Sequence, residues 1–518
     1  MTATQLLVPS QTQSIIGGRA GTGIDAEFLA LPLDAIADVA LQTAREGGAS
    51  WADVRVEASR DGGVYLHDAK LETTWDANEI AIGVRVVVDG AWGFASDPVA
   101  SKDGARRAAL AAVALARLTK PLATRYVELV DTPLIGTAQW SSVCSIDPFK
   151  VAENEKIDLL AGWSAGVLDN DIDHVDASCS YVKEQKFYAD LTGNRITQQR
   201  VRIENDITAT KITNDGRYTT LRTLAAPTAR GFEYLTAGGY DWTSELAELP
   251  TLLKQKAAAP SVQPGDYDLV IDPTNLWLTI HESIGHATEL DRILGYEANY
   301  AGTTFLGLND IGNLRYGSSL LNVIGDRSAE FGLSTVGYDD EGVAGGAFPI
   351  ITEGVLTGVQ SDRASAAIAG LPASTGCAFA ESASFVPLQR MPNISMQPDE
   401  NGSSLDELIA GVEDGLYVKG DDSWSIDMQR RNFQFTGQQF WRIKNGKLDG
   451  QVRDAAYQST TQKFWGSLNA VGDGSTYHLG GALNCGKGQP GQGAPVSHGA
   501  PAARFEKIRI LNTTQEQA

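Results

Sequence analysis

The chain has 518 residues, too many for one hydrophobic core, and this length predicts about three domains. A net charge of −22 argues against nucleic acid and against an anionic membrane as partners, because both would be repelled. No stretch approaches the ~20 apolar residues that a membrane-spanning helix needs, and the start lacks a basic segment followed by a long apolar run. The four cysteines, Cys144, Cys179, Cys377 and Cys485, are scattered without a C-x-x-C pair, which argues against a disulfide framework. A cytoplasmic protein is expected.

Residues 1–28 read as a flexible lead. Its "GGRAGTG" (17–23) has the glycines of a phosphate loop, but neither a preceding strand nor G-K-[ST], and is assigned to the lead. In "LDAIADVALQTAREGG", Ile36, Val39, Ala40 and Thr43 recur at helical spacing, with Asp34 as cap and Gly47 as stop. "ADVRVEAS" and "GVYLHDAK" alternate as two strands, and "EIAIGVRVVVDGAWGFAS" predicts a hairpin turning at Asp89-Gly90. The Ala-rich "SKDGARRAALAAVALARL" closes an α+β domain over 29–122. A second α+β domain, 123–258, repeats the grammar: a helix in "KVAENEKIDLLAGWSAGVLD", then strands turning at Gly193-Asn194.

After the joint "KAAAPSVQPGD", residues 259–518 form a third domain, mostly β. Its "FQFTGQQFWRIKNGKLDGQVR" predicts a hairpin around Asn445-Gly446. One helix there carries a Ser404/Glu407 capping box, buries Leu405, Leu408, Ile409 and Val412, and ends at Gly415. The predicted class is α+β: two amino-terminal, sandwich-like units of antiparallel sheet with helices, followed by a mostly β domain that carries the helix discussed next.

In "YDLVIDPTNLWLTIHESIGHATELD" a strand leads to Asp272 as cap and Pro273 in the first helical turn, followed by an apolar helix. "HESIGH" misses the metalloprotease signature H-E-x-x-H by one residue. At about 100° per residue, positions four apart share a face, whereas His281 and His286 would diverge by roughly 140° on an ideal helix. If one turn widens to i→i+5 bonding the imidazoles converge, and Gly285 would ease that widening. A catalytic zinc takes three protein ligands and keeps one open position, so a third ligand is needed. Cys485, expected in a glycine-rich loop, "GGALNCGKGQPGQG", where backbone can approach a site closely, is the best candidate, with Lys487 beside it to favour the thiolate. Glu282 is the candidate general base. His478 and His498 could replace Cys485 as ligands, while His67 and His174 carry no companion pattern and read as ordinary.

These residues resemble the TldD/PmbA (TldD/TldE) metallopeptidase family in its metal-binding branch. The likeness rests on "HESIGHATELD", "YDDEGVAGG" (338–346), "EGVLTGVQSDRASAAIAG" (353–370), "RMPN" (390–393) and "NCGKGQPGQGAPVSHG", in order, and on "GGASWADVRVEAS" and "AIGVRVVVDGAWGFAS" near the start. It spans residues 30 to 512. The resemblance implies that His281, His286 and Cys485 ligate one divalent ion, which zinc suits and iron can replace, and that Glu282 is the base. Glu289, Asp291 and Arg390, within the matching motifs, stand as candidate substrate-binding positions. It further implies action on small or unfolded peptides, held by backbone pairing, and a homodimer or a heterodimer with a ligand-free TldE/PmbA-like subunit. Arg292–Leu320 and "VSHGAPAARF" depart from the family pattern and bear on substrate choice. Two rival readings are a non-catalytic TldE-like subunit or binding module, and a metal-dependent hydrolase of a non-peptide amide or ester.

Overall fold

Two strands of 19 residues each, β1 (Ala49–His67) and β2 (Lys70–Val88), set the frame of the amino-terminal half. They meet at a tight turn in which Asp68 and Ala69 both have positive φ. The two strands expected in "ADVRVEAS" and "GVYLHDAK" are one continuous strand. Gly62 and Gly63 lie flat under the rings of Tyr181 and Trp75, where a Cβ would collide, so the strand runs through. β3 (Ala91–Asp97) follows the Asp89-Gly90 turn as predicted.

The structure is a computed structural model that describes residues 23–214 and 216–514. Residues 1–22, and with them nearly all of "GGRAGTG", lie outside the described residues. Within the segment assigned to the lead, Asp25 already pairs with Lys183 at 2.7 Å, and Phe28 of α1 (Ala26–Leu29) is buried. In α2 (Leu33–Glu46), Ile36 and Ala40 are fully buried, and burial of an isoleucine of this kind contributes about 1.5–3 kcal/mol. Pro32, not Asp34, precedes the helix, and Asp34 sits in its first turn; Gly47 ends it. α3 (Lys102–Thr119) is capped by Ser101 and lays its alanines on the same core.

The boundary at 122/123 divides the sequence but not the sheet. After β4 (Thr137–Ser141) and α4 (Glu153–Leu168) come β5 (His174–Asp190) and β6 (Arg195–Ile212). β5 pairs antiparallel with β1 from Asp53↔Asp190 to His67↔Asp176, and the sheet order is β3-β2-β1-β5-β6-β4, with β7 (Tyr218–Arg222) on β6. Two sequence units thus make one sheet, because each contributes a long strand whose edge only the other can cover. The short α5 (Glu233–Thr236) and α6 (Trp242–Ala258) complete the layer over this half.

The third unit is built on a small barrel. β8 (Gly265–Ile271) lies between strands Asp414–Ile426 and Ala503–Asn512; the order continues through Ala455–Thr460 to Asn432–Lys444, which pairs back with Asp414–Ile426. Phe433, Phe435, Tyr457, Phe464 and Phe505 fill it. The Asn445-Gly446 hairpin and the Ser404/Glu407 capping box are present, but that helix stops at Gly411, and Gly415 already belongs to the next strand. The "YDDEGVAGG" segment docks this unit on the large sheet: Asp340 takes Lys186 at 2.9 Å and Glu341 takes Arg85 at 3.0 Å. Among the described residues no helix is long and apolar enough to cross a membrane.

Candidate metal centre

The Asp272 carboxylate accepts the Thr274 N–H at 3.0 Å, Pro273 fills the first turn, and α7 (Pro273–Ile280) runs from the end of β8 into the barrel core. Leu276, Ile280, Ile284 and Ala287 pack into that core, while Trp277 lies against Gly480, where a Cβ would collide. Over His281–Gly285 the helix widens to a π turn, and the His286 N–H bonds the His281 carbonyl five residues back. A tighter turn, His286–Thr288, follows. Carbonyls around the widened turn find outside donors: Tyr316 Oη donates to Ser283 O, and Gln360 Nε2 to Gly285 O at 2.6 Å. The five-residue spacing predicted this distortion. Gly285 contributes differently from the expectation, since its φ of −52° suits any residue; what it supplies is room for Met391 Sδ, which a Cβ would meet at 2.6 Å.

The widened turn brings the two imidazoles to a centroid distance of 4.7 Å. Cys485 Sγ lies 3.7 Å from His286 Nε2, and one donor atom from each of the three residues falls within 4.8 Å of the others. Bonds of ~2.1 Å to nitrogen and ~2.3 Å to sulfur at tetrahedral angles require an N···S edge of about 3.6 Å, so the donor set fits a zinc-sized ion. All three residues are buried. Burial pushes the Cys485 thiol up, but His286 and Arg390 outweigh it and hold the pKa below the usual thiol value.

Each imidazole is oriented by a partner behind it. His498 Nδ1 faces the Ile394 carbonyl at 3.1 Å and must donate to it, so its Nε2 accepts, at 2.7 Å, from His281 Nδ1. That leaves His281 Nε2 bare. Burial and the neighbouring His281 hold the His498 pKa well below the ordinary value, in keeping with a neutral ring. His286 Nδ1 is 3.0 Å from Glu289 Oε2, which leaves His286 Nε2 toward the sulfur. Such backing partners fix tautomer and ring direction at metal sites. His498, weighed in the sequence as a possible ligand, stands behind His281, and His478 is at the far end of the Cys485 strand, outside the cluster.

Several local expectations are corrected. Cys485 is not in a loop but on the strand His478–Lys487, opposite Ala494 of Gln492–Ala500. Lys487 does not serve the sulfur; its Nζ binds Glu289 at 3.1 Å and Asp291 at 2.8 Å. Glu289, Asp291 and Arg390, the candidate substrate-binding positions, are each engaged by other groups of the protein. Glu289 is consumed by His286, Arg292 and Lys487, Asp291 by Lys487, while Arg390 donates to the carbonyls of Gln492, at 3.0 Å, and Cys485. The 292–320 segment wraps the same network, with Arg292 and Glu297 fully buried and 3.3 Å apart. Lys487 is held charged: burial lowers its pKa, but Asp291 and Glu289 outweigh that and raise it.

Glu282 is buried, and its Oε2 accepts from Arg430 Nη1 at 2.7 Å. Burial pushes its carboxyl up, but His286, His281 and Arg430 together bring it below the usual value, so it is a carboxylate. Arg430 was not found from the sequence; it comes from a turn 148 residues away and sits in no motif.

Two buried histidines brought together by a widened helical turn, a buried cysteine on a nearby strand, and a glutamate next to the first histidine define a candidate metallohydrolase centre. Residues 264–512 match the PmbA/TldA metallopeptidase C-terminal domain and residues 52–116 match PmbA/TldA metallopeptidase domain 1. The chain belongs to the PmbA/TldD metallopeptidase family. It is 25% identical over 433 residues to a metalloprotease of Methanocaldococcus jannaschii, covering 82% of this chain and 88% of that one. It is 29% identical over 272 residues to a zinc metalloprotease TldD homolog of Saccharolobus solfataricus, covering 52% and 57%. TldE from Thermococcus kodakarensis has the same fold, with a TM-score of 0.68 at 15% identity over 91% of this chain and 98% of that one.

Proposed function

We propose that the chain is a catalytically competent, metal-binding peptidase subunit that hydrolyses peptide bonds in small or unfolded peptides. His281, His286 and Cys485 would hold one divalent ion, with zinc the best match to two imidazoles and a thiolate. The observation that carries this reading is the fixed orientation of the donors: His498 and Glu289 each occupy the Nδ1 of one histidine, so both Nε2 atoms are left to ligate. The Saccharolobus solfataricus relative, named a zinc metalloprotease, supports the choice of ion. When bound, the ion supplies a Lewis acid for the scissile carbonyl and lowers the pKa of the attacking water.

Glu282 would take the water's proton and return it to the leaving amine; His286, His281 and Arg430 favour its ionised form, and Arg430 fixes one carboxylate oxygen. The intact set of His281, Glu282, His286 and Cys485 favours this over a non-catalytic subunit, which needs none of them. The partner would be a second copy or a ligand-free TldE-like subunit, a choice supported by the shared fold with TldE.

Glu282→Gln tests the reading. Metal content, measured by elemental analysis, should equal that of the wild type, while cleavage of an unstructured peptide pool should fall by about 10²–10⁴-fold. Unchanged cleavage in that variant would overturn the assignment of the base.

A further inference from the structure

Away from the centre just described, two more of the six histidines meet. His67 ends β1, Asp68 begins the turn to β2, and His174 and Asp176 open β5. His67 Nε2 is 3.4 Å from Asp68 Oδ2, His174 Nδ1 is 3.0 Å from the same oxygen, and the two rings stack at 5.4 Å. We propose that His67, His174 and Asp68 form a second site for a divalent transition-metal ion, at the far end of the large sheet.

The spacing carries the proposal. Bonds of ~2.0–2.1 Å to nitrogen and oxygen at tetrahedral angles put neighbouring ligand atoms about 3.3 Å apart, and the two edges that run to Asp68 Oδ2, at 3.0 and 3.4 Å, bracket that value. All three donor atoms lie within 4.8 Å of one another. An ion therefore takes the place of the protons now shared between these atoms, with little movement of the backbone.

The groups behind the donors are arranged as at a built site. His67 Nδ1 lies 2.9 Å from Asp176 Oδ1, which fixes the ring and turns Nε2 toward Asp68. Asp176 Oδ1 is itself held by Tyr65 Oη at 2.6 Å, and Asp68 Oδ1 by the Val175 N–H at 3.0 Å. The donors are half-exposed, with side-chain exposures of 42%, 30% and 45% for His67, Asp68 and His174. A hydrated ion can reach them and complete its coordination with water. Imidazole and carboxylate together suit zinc, nickel or copper(II) rather than magnesium or calcium.

The site is separate from the catalytic one. The two donor groups share no residue: His67, Asp68 and His174 lie on β1, its turn and β5 of the large sheet, whereas His281, His286 and Cys485 lie on the widened turn and a strand of the third unit. An ion here would tie the β1–β2 turn to the start of β5, clamping the seam between the two sequence units of the sheet.

The test is a cobalt(II) titration of the chelator-treated full-length chain, followed by calorimetry and by the visible and near-ultraviolet spectrum. Wild type should take two ions, only one of which shows a thiolate charge-transfer band. His67→Gln/His174→Gln should take one ion, keep that band and keep peptide cleavage, and Asp68→Asn should weaken the band-free site by at least about tenfold. Cys485→Ser should lose the band and retain the second ion, so a failure at the catalytic cluster is distinguishable from a failure here. A double histidine variant that binds as many ions as wild type, or a wild type that binds only the ion with the thiolate band, overturns the proposal.

Discussion

His281 Nδ1 lies 2.7 Å from His498 Nε2, and the direction of the proton between them is set from outside, by the Ile394 carbonyl on the other side of His498. His498 is therefore a positioning residue for the candidate metal cluster. Replacement by phenylalanine keeps a buried ring but removes the acceptor, and His281 Nδ1–H loses its partner. Metal affinity should drop by about 10–100-fold, read by competition with a chromophoric chelator. His498→Gln, which can still accept, should recover part of it. An affinity untouched by the phenylalanine would show that His281 is oriented by packing alone.

A second expectation concerns the widened turn. At Gly285 an added Cβ would sit 2.6 Å from Met391 Sδ, while the backbone there is ordinary right-handed helix. Gly285→Ala should thus act through overpacking and cost about 1–3 kcal/mol in urea unfolding. Because the obstacle is one named side chain, Gly285→Ala and Met391→Ala should be coupled favourably by more than about 0.5 kcal/mol in a double-mutant cycle. Simple additivity of the two changes would place the strain elsewhere.

The contrast between these two residues shows what a sequence can disclose. The spacing of His281 and His286 is a local quantity, and the helix period converts it directly into a distortion, so the π turn was legible. The candidate third donor, Cys485, lies in a distant segment; its glycine-rich surroundings suggested it, and the resemblance of ordered motifs favoured it over His478 and His498. Its setting was not legible, because "GGALNCGKG" has the composition of a loop. It folds as a strand, with Trp277 covering Gly480 and the opposing strand Gln492–Ala500 supplying the ladder. Lys487 was misread for a related reason: proximity in sequence to Cys485 says nothing about which buried carboxylates will claim a charge. That the two sequence units share one sheet was not legible either, since strand partnership between β1 and β5 is a long-range choice that no local pattern records.

Lys487 leads to the third expectation. It is fully buried between Glu289 and Asp291, and Glu289 in turn orients His286. In Lys487→Met those two carboxylates lose a cation and remain buried. The loss should be about 3–5 kcal/mol, seen as a lower Tm, and larger than for loss of an exposed pair. The two readings of Lys487 separate on the metal-free protein: thiol reactivity of Cys485 should stay near that of the wild type, because His286 and Arg390 are what favour its thiolate. A sharp fall in that reactivity would restore Lys487 as the sulfur's partner.

The last expectation is a pH dependence seated where the two halves of the molecule meet. Glu57 on β1 is fully buried, and neither carboxyl oxygen has a hydrogen-bond partner. Burial drives its pKa from 4.5 to about 8, offset in part by Lys186, 3.5 Å away, and reinforced by Glu184 and Asp340. The folded protein thus keeps a proton that the unfolded chain releases near 4.5. The stability contributed by this proton is complete below that value and declines as pH rises toward about 8. Glu57→Gln carries a permanently neutral group of the same shape and escapes the decline. Its Tm should match that of the wild type near pH 5 and exceed it near pH 8, measured by calorimetry in one buffer series. Parallel curves for the two proteins across that window would mean that Glu57 is already ionised in the folded state, with Lys186 and Arg55 neutralising it.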